Sequence, residues 1–95
     1  MSALTDGKRR LAMLVHLSLQ RRFVATVEDT RDSVADIGYP SSLDAIRCDA
    51  AWLDETGLAL YDTKSEVLRL TERGLDVAAG NASVPGVHVP GPARG

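Results

Sequence analysis

Aromatic residues are nearly missing from this 95-residue chain: Phe23, Tyr39, Trp52 and Tyr61 are the whole set. A core must therefore be assembled from Leu, Val, Ile and Ala, within a chain long enough for one domain. Cysteine occurs once, as Cys48, which excludes an intramolecular disulfide and points to a cytoplasmic setting. No apolar run approaches the ~18 residues of a membrane span, so no membrane partner is expected. The cluster Lys8-Arg9-Arg10 ahead of Leu11–Leu19 has a signal-peptide polarity, but Gln20-Arg21-Arg22 follows where a small-residue cleavage site belongs. Phosphate loops and dinucleotide fingerprints are also lacking, and no cofactor or small-molecule substrate is implied.

What is present is a succession of helix and strand signals. Leu11, Leu14, Val15 and Leu19 recur at helical spacing and predict a first helix over about residues 6–21, with Arg9, His16 and Gln20 on its polar face. Its apolar arc is broad, as for a central helix or one that also meets a second subunit. Phe23–Thr26 reads as a brief extended segment. Thr26 then reads as the N-cap of a second helix, carrying Val27, Thr30, Val34 and Ile37 on one face and ending at Gly38. Ser41 with Asp44 has the form of a capping box for a third helix, with Leu43, Ile46, Ala50 and Leu53 inward and Gly57 closing it.

Beyond Gly57 the period falls to two. Leu58–Tyr61 and Val67–Leu70 read as a hairpin around Asp62–Glu66, and Thr71 caps a last helix to about Ala79. Two helices joined by a short Gly-containing turn, then a hairpin and a helix, describe a mainly α (α+β) winged helix-turn-helix: a three-helix core, a β-hairpin wing and a C-terminal helix. The domain is expected over residues 1–80. The remainder, 81–95, holds three of the four prolines and reads as an extended Pro/Gly-rich tail. It is either a loose terminus or an arm that docks on a neighbour through Val84, Val87 and Val89.

The string Ala51-Trp52-Leu53-Asp54-Glu55-Thr56-Gly57-Leu58 resembles the third helix and first wing strand of many winged-helix regulators. The longer string Leu70-Thr71-Glu72-Arg73-Gly74-Leu75-Asp76-Val77-Ala78-Ala79-Gly80, continued by Val84-Pro85-Gly86-Val87, resembles a family of small winged-helix proteins of Mu-like phages and prophages, encoded near packaging genes. The resemblance spans roughly residues 27–90, with 52–87 carrying most of it. It implies a phage origin and a winged-helix fold, and no catalytic chemistry. Family members often carry a basic residue after Val-Pro-Gly-Val, where this chain has His88-Val89.

Catalysis and metal binding find little to work with, and the chain is not expected to be an enzyme. Cys48 reads as a small packing residue rather than a nucleophile, and His16 as a surface residue. Asp29, Asp32 and Asp36 share one side of the second helix, as a solvated face does more often than a cation site. No metal site is expected.

Nucleic-acid binding is the function most often built on this fold, and here the charges are distributed unusually. Residues 27–62 carry two arginines against nine carboxylates, a net −7. The outward side of the third helix offers Asp44, Arg47, Cys48, Ala51 and Glu55, so Arg47 alone is placed to reach a guanine edge. Residues 1–22 carry five bases against one acid, a net +4. The candidate contacts to double-stranded DNA are therefore Lys8, Arg9, Arg10, Arg47, Lys64 and Arg69, with the first helix and wing ahead of the third helix. Asp49, on the flank of the third helix, is expected to meet an arginine such as Arg73. The competing reading is a protein-interaction adaptor or homodimer, with Ala45, Cys48 and Trp52 as an apolar interface strip. Alternatively, Trp52 covers the edge of the core.

Overall fold

The computed structural model describes residues 3–89, so the part of the expected tail from residue 90 onward lies outside the described residues. Helix α1 (Ala3–Ser18) begins and ends three residues earlier than its apolar period suggests. Its last turn tightens through Leu19 N–H to the His16 carbonyl (3.2 Å) and Gln20 N–H to Leu17 (3.1 Å), and the Gln20 side-chain amide also donates to His16 O (3.1 Å). A 3-10 turn over Arg21–Phe23 follows, in which Arg22 and Phe23 hold φ 61° and 60°. Left-handed conformations are costly for side-chain-bearing residues, so this turn must be held in place by what surrounds it.

Strand β1 (Val24–Thr26) leads into helix α2 (Val27–Asp36). Thr26 caps α2 as its sequence position suggests, its Oγ1 accepting from Asp29 N–H at 3.0 Å. Helix α3 (Leu43–Glu55) starts one residue later than expected, because Ser42, not Ser41, accepts from Ala45 N–H (3.0 Å). The Ser41 hydroxyl instead donates to the Tyr39 carbonyl (3.0 Å) and stiffens the connection between the two helices. Strands β2 (Ala59–Asp62) and β3 (Val67–Leu70) form the hairpin, and helix α4 (Glu72–Ala78) closes the fold with Thr71 as N-cap.

The described residues form an α+β unit of four α-helices and one antiparallel sheet of order β1-β3-β2. Helix α1 is central, packing on α2, α4 and β3. Met13, Leu14 and Leu17 of α1 meet Ile46 and Leu53 of α3, Val27 and Val34 of α2, and Leu68 of β3 in one buried cluster. Each such side chain contributes about 1.5–3 kcal/mol by leaving water. The strand β2 faces differ from a simple reading of its leucines: Ala59 is buried, Tyr61 half-buried and Leu60 56% exposed. Leu58 N–H bonds the Leu53 carbonyl (2.9 Å) to finish α3, so the strand begins at Ala59. Its inward residues are then those opposite Leu68 and Leu70. Close packing at the other end rests on Gly74, where a Cβ would stand 1.9 Å from the Leu58 carbonyl oxygen.

The folded unit runs past residue 80. Val84-Pro85-Gly86-Val87 forms a turn, closed by Val87 N–H to the Val84 carbonyl (3.1 Å) with Gly86 at φ 100°. It folds back on its own domain rather than trailing: Val87 is 8% exposed, and His88 N–H donates to the Gly7 carbonyl at 3.1 Å. Only Val89 of the three tail valines stands out in solvent.

Candidate nucleic-acid interface

The charged residues fall into an internally paired set and an outward set. Arg9 belongs to the first: expected on a polar face, it is 5% exposed. Its Nε donates to Asp49 and its Nη2 to Asp6 (3.1 Å). Arg10 donates from Nε to the other oxygen of Asp49 (3.0 Å) and from Nη1 to the Gly86 carbonyl (3.1 Å). Its guanidinium also lies 4.2 Å from the centroid of the Trp52 ring, as in a cation–π contact. Asp49 is thus a buried carboxylate, 2% exposed, flanked by two arginines from α1. The hydrogen bond to Asp49 holds the Arg9 guanidinium firmly protonated despite its burial. Arg73, expected as the partner of Asp49, instead donates to the Thr56 carbonyl (3.1 Å) at the end of α3.

Arg47 is also engaged. Its Nε and Nη2 fork onto the two oxygens of Glu66, and Nη1 reaches Asp44 at 3.1 Å. All three guanidinium nitrogens therefore bond carboxylates, and the bidentate pair clamps α3 to the hairpin loop. The same contact holds the Glu66 carboxyl below its usual range. Asp54 has a structural use as well, accepting from the Tyr61 N–H of edge strand β2 at 2.8 Å. Several of the acids on and around α3 are thus structural members rather than a free acidic surface. The outward side of that helix presents no unengaged cation.

The second set lies along the outer side of the sheet. The register places Val24, Arg69 and Leu60 side by side across the three strands, with Thr26, Val67 and Asp62 in the next row. Arg69 is exposed in the middle strand. Arg21 and Arg22, both exposed, enter from the 3-10 turn, which packs on β3 and presents Phe23 at 40% exposure. Lys64 stands at the hairpin tip, where the Asp62 carboxylate accepts from its backbone N–H (3.0 Å) and stays ionised more readily for it. Arg21, Arg22, Lys64 and Arg69 make no ion pair among the described residues. Of the six cations expected to touch DNA, Lys64 and Arg69 are both exposed on the hairpin, at its tip and in its middle strand, Lys8 lies apart on α1, and Arg9, Arg10 and Arg47 are paired. Arg21 and Arg22 belong to the basic segment of residues 1–22 but not to the expected contacts; the helical period carries the first helix on to residue 21, whereas α1 ends at Ser18 and both arginines sit in the 3-10 turn.

The expected interface strip is likewise divided. Trp52 is half-buried against the core beneath Arg10 and Gly86, whose Cβ, if present, would stand 2.5 Å from the indole. Cys48 is exposed, not a packing residue, and Ala45 is half-buried. His16 is not a simple surface residue: its Nε2 is buried with no hydrogen-bond partner among the described residues, and burial pushes the imidazole below its usual pKa. Among the described residues no group of three His, Cys, Asp or Glu is disposed to hold a metal ion, and no helix is long and apolar enough to cross a membrane. No family model, curated protein or solved structure matches this chain.

Proposed function

We propose that the chain is a winged helix-turn-helix domain of phage type that binds the backbone of double-stranded DNA with its hairpin and the adjoining 3-10 turn, as a regulator or packaging accessory. The observation that carries this reading is the sorting of cations. Arg9, Arg10 and Arg47 are consumed by carboxylates of the fold, while Arg21, Arg22, Lys64 and Arg69, on or beside the sheet, make no ion pair among the described residues. Helix pair, hairpin and closing helix occur in winged-helix order. The phage setting rests on the resemblance of residues 70–87 described above.

Contacts of this kind position a protein on a duplex without reading bases, and they make affinity depend on salt. The reading is tested by fluorescence anisotropy of a labelled random-sequence duplex titrated with protein at several salt concentrations. Four phosphate contacts predict a log–log salt slope of about −3 to −4. No binding at about 100 µM in low salt overturns the reading, because even non-specific complexes form below that concentration. A second reading, a protein-interaction adaptor that touches no DNA, is favoured by the outward side of α3, where exposed Cys48, Ala51 and Glu55 offer nothing to a phosphate.

A further inference from the structure

The side of α1 that borders the end of α2, at the margin of the core, is not finished with polar residues. Leu11 and Val15 stay half-exposed there and form one wall of an open groove of about 400 Å3, whose other wall is Ile37 and Tyr39 at the end of α2. Leu4, Ile37 and Val89 are 61%, 60% and 54% exposed. Leu4 lines an adjoining hollow with His88, which also lines the groove, and Val89 is the next residue along the chain. Two of the large apolar side chains exposed among the described residues, Leu4 and Ile37, thus line adjoining hollows that share His88, as at an interaction surface.

The charges at this groove are complementary to themselves. Lys8 lines it from the α1 wall, and Asp36 stands exposed beside Ile37 at the end of α2; neither makes an ion pair among the described residues. Asp36 is the last residue of its helix, and that last turn contains no base. A carboxylate there faces the negative end of the helix dipole and gains from any cation brought to it.

We propose that this groove is the interface of a two-fold dimer, with a second copy of the chain as its occupant. A two-fold axis running along the groove lays the α1 wall of each copy on the α2 end of the other. Leu11 and Val15 then meet Ile37 and Tyr39, and each Lys8 meets the other copy's Asp36, the reciprocal pattern an isologous contact requires. Nucleic acid does not suit the surface, which is apolar with a single lining cation, and the pairing is independent of the hairpin side.

Sedimentation equilibrium of the full chain from about 5 to 500 µM tests the proposal. A monomer–dimer equilibrium is expected, abolished by Val15→Glu. Lys8→Glu or Asp36→Lys alone should each weaken association about tenfold, since a two-fold contact loses two ion pairs at once. The double variant should restore it. Both charged positions lie outside the core, so circular dichroism should report an unchanged fold for all three charge variants. A monomer throughout the range overturns the proposal, as does a dimer indifferent to Val15→Glu. So does a double variant no tighter than the single ones, because Lys8 and Asp36 then do not face each other.

Discussion

The two basic clusters of this chain have the same side chains and opposite fates. On α1, Arg9 and Arg10 converge on one buried carboxylate, Asp49, and Arg10 also roofs Trp52 and holds the Gly86 carbonyl. Around the sheet, the side chains of Arg21, Arg22, Lys64 and Arg69 make no ion pair among the described residues and remain in water. Desolvation explains the difference. An arginine beside a helix that carries a buried aspartate is drawn inward, because an unpaired buried charge is far more costly than a paired one. An arginine on a strand face opposite Val24 and Leu60 has no such partner. Charge counted along the chain therefore overstates what α1 offers a polyanion, and undervalues the sheet.

The comparison is broken most severely at Asp49. Asp49→Ala removes the carboxylate that the two arginines share, leaving Arg9 only Asp6 and Arg10 no carboxylate, and should destabilise the fold by about 3–5 kcal/mol, read from urea unfolding. Arg69→Ala, on the exposed side, should change stability by less than about 0.5 kcal/mol. Gly86→Ala comes next. It forces a side chain into a left-handed position against Trp52 and should cost about 1–3 kcal/mol, with the indole emission shifting to the red as the turn lifts away. The smallest effect belongs to His16. Its imidazole is held neutral in the fold, whereas the unfolded chain takes up a proton near pH 6.5. Stability from this source is complete above that pH and is lost as pH falls below it. His16→Gln should flatten that slope below about pH 6.5, as followed by thermal melts.

Local signals were legible and long-range ones were not. Thr26 and Thr71 act as N-caps where a threonine three residues ahead of an unsatisfied N–H is expected to. The capping-box pattern points to Ser41 for the third cap, and the closed helix uses the adjacent Ser42 instead. Helical periodicity placed Arg9 on a polar face because it cannot register a carboxylate 40 residues away. Pro85-Gly86 announces a turn, but nothing local says that the turn lands on Trp52. The outward cations were half legible: Lys64 and Arg69 follow from the hairpin, whereas Arg21 and Arg22 gain their place from a turn with two left-handed residues that no period reveals.

The central claim is that DNA meets the sheet side and not α3, and one comparison of salt slopes tests it directly. Anisotropy titrations on the same duplex should be run for the unmodified chain, for Arg21→Gln with Arg22→Gln, and for Arg47→Gln with Glu66→Gln. The last pair removes the clamp on α3 without changing local net charge. The account predicts that the first double variant makes the slope shallower by about 1.8 and that the second leaves it unchanged. A slope insensitive to Arg21 and Arg22 but reduced by loss of Arg47 would contradict it and return the contact to α3.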